Sequence, residues 1–335
     1  MAIEFQVLGS PGRDNALWVR VDSGRSITRL LFDCGDGCLS DLAFSEVLAT
    51  DHVFLSHLHM DHVCGFDAFF RATFNRDTKP NVLWGPPETA AIMHHRFRGF
   101  WWNLHEGQPG TWRVHDIHED RVESYRYEIA EAFANKHPEG TTDREGVILD
   151  AQDFTVEAIQ LEHHGPCMGY CVREKPRSNI QPELLASLGL LPGPWMQALK
   201  SGTTESSTIE IDGKPFEIEK LRQELLVETQ GDSIAYLTDF RLDEETADRL
   251  VPWLHGCQTV VCEAQYRHSD LELALRNHHM TTTLVSGLTA RAGVEKLILF
   301  HLSNRYRPAE WQEMLAECRV NFPATTFPEH WNLES

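Results

Sequence analysis

The chain has no apolar run of 18 residues, no basic leader ahead of an apolar segment, no internal repeat and no low-complexity tract. These absences exclude a membrane-spanning helix and a repeat array, and they argue against secretion. Cysteine is sparse, eight in 335 residues, and the pairs Cys34/Cys38, Cys167/Cys171 and Cys257/Cys262 lack the CxxC spacing of zinc and redox motifs. A reduced, cytoplasmic protein is expected. Positive charge is also short: 30 Lys+Arg face 50 Asp+Glu, and the net charge of −20 opposes loose attraction to phosphate backbones or anionic lipid. No membrane partner is expected, and any nucleic-acid site must be local. With 41% apolar residues the chain can bury a sizeable core, as two domains or as one large domain with insertions. Histidine is abundant, at 18 residues, and it is both the commonest metal ligand and the side chain that titrates nearest neutrality.

Short strands bounded by Gly, Pro and Asp turns are predicted at 3–9, 17–21, 29–33 and 52–56, and again at 153–161, 168–172, 234–238, 258–262 and 296–300. Helices are predicted at 38–49, after 62, and near 243–251, 269–277 and 281–292. The alternation describes a mixed α/β chain. Residues 94–150 show no clear period and read as an insertion, whereas 173–226 read as a projecting arm. One domain over 1–335 with these two excursions is the expectation.

Chemistry concentrates in HVFLSHLHMDH (52–62), where an apolar strand ends at Ser56 and His57, His59, Asp61 and His62 follow within six residues. Two histidines at i and i+2 of an extended loop point the same way and can grip one ion. Asp61 and His62, at the start of the next helix, can face a second. Imidazole and carboxylate together suit a borderline metal such as zinc, at about 2.0–2.1 Å. A polar loop of ordinary histidines rarely places four ligand types in six positions.

With this motif the sequence resembles the metallo-β-lactamase superfamily, whose hallmark is HxHxDH after a strand. FDCGDG (32–37) is similar to the Asp-bearing strand end of that superfamily, with Asp33 as a structural acid. LEHHGPCMGY (161–170) resembles the third motif in its ribonuclease Z form and selects His163, with His164 as the alternative ligand. YLTDF (236–240) supplies Asp239 as the bridging carboxylate, and FHLSNRY (300–306) supplies His301. Alone, Asp239 would read as a helix N-cap and His301 as a half-buried histidine; order and spacing favour the ligand reading. The ribonuclease Z branch also carries His-Glu-Ala-Thr after a strand and a later His-Ser-Thr. Here these positions read Cys262, Glu263, Ala264, Gln265 and His279, Met280, Thr281.

The resemblance implies an α+β fold, the αβ/βα sandwich of two mixed sheets with outer helices. It implies two divalent metal ions, zinc first and manganese or iron as alternatives. His57, His59 and His163 would hold one, Asp61, His62 and His301 the other, and Asp239 would bridge. In the implied reaction Asp61 is also the base, His279 the acid oriented by Glu263, with His268 and His278 next in line, and Ser303 and Arg305 contact phosphate. The activity is that of a phosphodiesterase resembling ribonuclease Z, an endoribonuclease acting at the 3′ end of precursor tRNA, with RNA as partner and a homodimer as assembly. The alternative is hydrolysis of a small phosphodiester or another ester. LGLLPGPWMQALKSG (188–202) resembles the tip of the tRNA-gripping arm of that branch, yet 173–226 holds seven Lys+Arg against eight Asp+Glu. RFRGFWW (96–102) reads as ordinary packing before it reads as a base-stacking patch, and His94, His95, His105, His115 and His118 lack ligand spacing.

Overall fold

The computed structural model describes residues 2–201 and 207–333. Contacts divide the chain into residues 1–173 with 232–335, and residues 174–231.

The larger unit contains two mixed sheets. In the first, Ala2–Gly9, Asn15–Asp22 and Ile27–Phe32 pair antiparallel. His52–Phe54, Asn81–Gly85 and Thr111–Ile117 then add in parallel. Arg121–Glu128 and His137–Asp143 close the sheet antiparallel. The second sheet runs Thr325–Thr326, Lys296–Phe300, Thr259–Glu263 and Ser233–Leu237 in parallel, then Pro166–Glu174 antiparallel, with Phe154–Glu162 and Val147–Asp150 beyond. The parallel strands are nearly continuous apolar runs, as strands covered on both faces must be: Ser233–Leu237 is buried at every position.

One core lies between the sheets, where Phe32 stacks on Phe54 at 4.9 Å and Tyr170 and Tyr236 of the opposite sheet pack against Phe32. A second core lies under the helices Phe66–Thr73 and Thr89–Arg98, around Phe66, Phe70, Phe97 and Trp112. The sandwich expected from the sequence is present.

Two expectations fail. The helix over 38–49 is split into a short 3-10 turn, Cys38–Asp41, and Phe44–Ala49, because Leu42 and Ala43 take extended dihedrals. Residues 94–150 are more than an insertion: they supply three strands of the first sheet and one of the second. They escape pattern reading because a strand such as His137–Asp143 has one exposed face after another and no apolar alternation.

Residues 174–231 have a core of their own, Leu185, Leu190, Leu199, Ile211, Ile218, Leu221 and Leu225. Arg177–Ile180 pairs antiparallel with Leu226–Thr229, Thr208–Ile211 with Lys214–Glu217, and helices Pro182–Ser187, Trp195–Ser201 and Ile218–Leu225 complete it. Of the polar stretch 201–208, residues 202–206 lie outside the described residues. Among the described residues no helix is long and apolar enough to cross a membrane.

Candidate metal centre

The site collects the carboxyl ends of neighbouring strands, where an α/β sheet leaves room for ligands. Asp33 follows Ile27–Phe32, His57 follows His52–Phe54, and His163 follows Phe154–Glu162. Asp239 follows Ser233–Leu237, Glu263 ends Thr259–Glu263, and His301 follows Lys296–Phe300. Three of these exits need a left-handed residue: φ is 59° at Asp33, 49° at Asp239 and 52° at His301. Such backbone costs roughly 1–3 kcal/mol per residue and persists where its surroundings hold it. The turn carrying Asp61 and His62 lies against the exit of Ile27–Phe32: Cys34 N donates to His62 O at 2.8 Å and Gly65 N to Cys34 O at 2.9 Å. A Cβ on Gly65 would lie 2.1 Å from the Gly35 carbonyl oxygen, so this approach requires glycine.

Asp33 organises the buried side. Its carboxylate accepts from Ser56 N at 2.6 Å, Ser56 Oγ at 2.7 Å and Tyr236 OH at 2.9 Å, and it holds His62 Nδ1 at 2.8 Å. The structural role expected of Asp33 thus has a concrete form: it turns the His62 ring so that Nε2 faces the centre. Other rings are fixed in the same way, His57 Nδ1 by Ser56 Oγ at 3.0 Å and His163 Nδ1 by the His278 carbonyl at 2.9 Å.

Three donor groups result: His57, His59 and His163; Asp61, His62, Asp239 and His301; and Asp239, Glu263, His279 and His301. Asp239 Oδ2 sits at the middle, 3.8 Å from His57 Nε2, 3.7 Å from His163 Nε2 and 3.4 Å from His62 Nε2. Asp61 Oδ2 lies 3.5 Å from His62 Nε2 and 3.6 Å from His301 Nε2. Ligands ~2.1 Å from a tetrahedral ion are ~3.4 Å from one another, so these separations suit cations better than direct hydrogen bonds. The buried Nε2 atoms of His57 and His62 have no hydrogen-bond partner, an arrangement that a cation would satisfy. His59 is exposed and the Asp61 side chain is 45% exposed, which marks the open side of the centre.

The electrostatics divide the histidines of the centre into two groups. Burial and the neighbouring His62 push His57 down to about 2, and burial pushes His163 down to about 4, so both imidazoles are neutral with a lone pair to offer. Against its burial, contacts with His301 and His62 hold the Asp61 carboxyl well below the usual carboxylate range. His62 and His301 go the other way: against their burial, Asp239 and Asp33 raise His62, and Asp239 and Asp61 raise His301. His279 is raised as well. Burial opposes its charge, but Glu263 Oε2, 2.9 Å from Nδ1, outweighs that and raises it to about 9. Glu263 is itself fully buried and accepts from Phe240 N at 3.1 Å.

Of the sequence candidates, His57, His59, Asp61, His62, His163, Asp239, Glu263, His279 and His301 come together. His164 does not join any of the groups; its ring stacks on His278 at 4.0 Å, and His163 is the one of the two that stands with His57 and His59. Ser303 and Arg305 lie beside the cluster, Ser303 N donating to Gln265 O and the Arg305 guanidinium 5.9 Å from the Tyr266 ring. His268 bonds Thr281 Oγ1, and His278 pairs with Glu162. In 96–102, Phe97 is core and Trp101 is 91% exposed. Sequence reasoning missed Asn15, which is buried and accepts from His301 N at 3.3 Å, and Gln265, 3.3 Å from His301 Nδ1. For Gln265 the departure from His-Glu-Ala-Thr was a signal; Asn15 gave none.

Comparison with known proteins gives three kinds of likeness. The family described as Anti-Pycsar protein Apyc1 matches residues 14–165. A ribonuclease Z from Deinococcus radiodurans is 50% identical over 325 residues, covering 97% of this chain and 97% of that one. Among solved structures, the metallo-β-lactamase fold protein YhfI from Bacillus subtilis aligns over 98% of this chain and 96% of its own, with TM-score 0.57 at 14% identity. The short form of human tRNase Z covers 91% and 94%, with TM-score 0.50 at 16% identity. At these identities the two structures establish the metallo-β-lactamase fold.

Proposed function

Because the chain belongs to the ribonuclease Z family and is a metal-dependent hydrolase of the metallo-β-lactamase fold, we propose that it is a zinc endoribonuclease cutting precursor tRNA at its 3′ end. The observation that carries the reading is the joint one: half the residues are shared with a ribonuclease Z along 97% of both chains, and the donor groups are complete.

In this reading His57, His59 and His163 hold one ion, Asp61, His62 and His301 the other, and Asp239 lies between. Two divalent cations there supply Lewis-acid activation of water and neutralise charge on the phosphoryl group. Asp61, on the open side, accepts the proton of the attacking water. Glu263 holds His279 Nδ1, which keeps the ring charged near neutral pH and lets it donate a proton to the departing 3′-oxygen. Ser303 and Arg305, beside the cluster, bind phosphate. A homodimer and a cytoplasmic location are part of the same proposal; sedimentation of the purified protein tests the first.

The charge of the arm favours a second reading. With seven Lys+Arg against eight Asp+Glu in 173–226, counterion release contributes little to RNA affinity, as suits a small phosphodiester. Deleting 188–202 separates the two. A KM that rises for precursor tRNA far more than for bis-p-nitrophenyl phosphate supports tRNA, and equal effects support the small substrate.

A further inference from the structure

We propose that Gln265 is a positioning residue that decides which of two overlapping donor sets His301 serves. The inference rests on the reading of His301 as a ligand. His301 belongs both to the group with Asp61, His62 and Asp239 and to the group with Asp239, Glu263 and His279. Its two ring nitrogens point to different neighbours: Nε2 lies 3.6 Å from Asp61 Oδ2, while Nδ1 lies 3.3 Å from Asp239 Oδ1 and 3.3 Å from the Gln265 side-chain nitrogen. A ring nitrogen engaged in a hydrogen bond cannot also ligate, so whatever holds Nδ1 selects the set that uses Nε2.

The other rings show the same rule with stronger partners. His57, His62 and His163 each have Nδ1 held, by Ser56 Oγ, the Asp33 carboxylate and the His278 carbonyl, and each presents Nε2 to the centre. At His301 two groups stand at Nδ1, the Gln265 amide and Asp239 Oδ1, and Asp239 is itself a member of both donor sets, which leaves Gln265 as the partner outside them. As placed, the amide nitrogen faces Nδ1; turned end for end, the amide sets its oxygen toward Nδ1–H, which fixes the tautomer with the lone pair on Nε2.

The backbone sets Gln265 in place from two directions. Glu263 pairs with Phe300 at the end of the parallel strands, and Ser303 N donates to the Gln265 carbonyl at 3.3 Å, so the side chain leaves the chain alongside His301. Asn15 Oδ1 accepts from the His301 backbone N–H at 3.3 Å and anchors the backbone at that position. With Nδ1 unheld by Gln265, the nitrogen that already lies 3.3 Å from Asp239 Oδ1 could carry its lone pair and serve the set of Asp239, Glu263 and His279. A cation drawn there would occupy His279, the proton donor of the proposed reaction. Gln265 therefore acts on metal affinity and on the freedom of His279 together.

Zinc release from the purified holoenzyme under chelator competition tests this, with metal content and thermal unfolding measured on the same samples. Gln265→Leu, which keeps the volume and removes the hydrogen bond, should release one of two equivalents at a 10–100-fold lower chelator concentration, with the other equivalent unchanged. Gln265→Glu, which restores an acceptor for Nδ1–H, should return release to the wild-type profile or tighter. His301→Ala should lose the same equivalent outright. Wild-type release from Gln265→Leu while His301→Ala loses an equivalent overturns the role of Gln265 alone. Equal weakening in the Leu and Glu variants overturns it too, because space-filling would then be the whole effect. Both equivalents retained in His301→Ala overturns the ligand reading and this inference with it.

Discussion

Glu263→Gln is an informative perturbation because it changes one charge and almost no volume. Glu263 Oε2 lies 2.9 Å from His279 Nδ1, and its carboxylate is the main group raising His279 to about 9. A neutral amide removes that contribution, while burial continues to lower the His279 pKa and Asp239 to raise it, so it falls toward its ordinary value of ~6.5. A proton donor works below its pKa and fails as the pH rises through it. At pH 7.5 a group with a pKa of ~6.5 is protonated in only about one molecule in ten, so cleavage of an RNA substrate should slow roughly tenfold. The deficit relative to wild type should shrink toward pH 6. Hydrolysis of bis-p-nitrophenyl phosphate should be nearly unaffected, since nitrophenolate departs without a proton. His279→Ala removes the donor altogether and should cost ~10²–10⁴-fold on RNA at every pH. The assay is kcat against pH for both substrates. An unchanged basic limb in Glu263→Gln, or equal losses on the two substrates in His279→Ala, would refute the acid role.

His57→Ala and His163→Ala should each lower bound metal from about two equivalents per chain, measured by elemental analysis, and full occupancy in both would contradict the ligand set. Tyr236→Phe, which removes one of the donors to the Asp33 carboxylate, should cost ~1 kcal/mol in urea unfolding, and Asp33→Asn, which disrupts the whole network, ~2–4 kcal/mol. His52 and His115 are both pushed down to about 4 by burial, beside Trp84. Their contribution is present above the unfolded value of ~6.5 and is lost as the pH falls from there toward 4. His115→Phe, which keeps a ring against Trp84, should flatten that decline in stability measured across pH.

The part of the site that was legible in the sequence is the part that is local. His57, His59, Asp61 and His62 follow one strand, and strand periodicity and ligand chemistry alone divide them into the two pairs that stand in separate donor groups. His163, Asp239 and His301 come from strands that only the fold brings together, and they were readable through the spacing of a known family's motifs. Long-range hydrogen bonds left no trace: Asn15 and His301 are 286 positions apart, and a buried Asn at a strand start looks like any turn residue. The edge strands within 94–150 were hidden by their polar faces, and the break at Leu42 and Ala43 by residues with good helix propensity.

The most direct test of the central claim is incubation of the zinc-loaded protein with a 3′-extended precursor tRNA, with the ends of the products mapped. Cleavage at the 3′ end of the tRNA, abolished by His57→Ala and by removal of metal, is the predicted result. An intact precursor in the presence of robust hydrolysis of a small phosphodiester would contradict it.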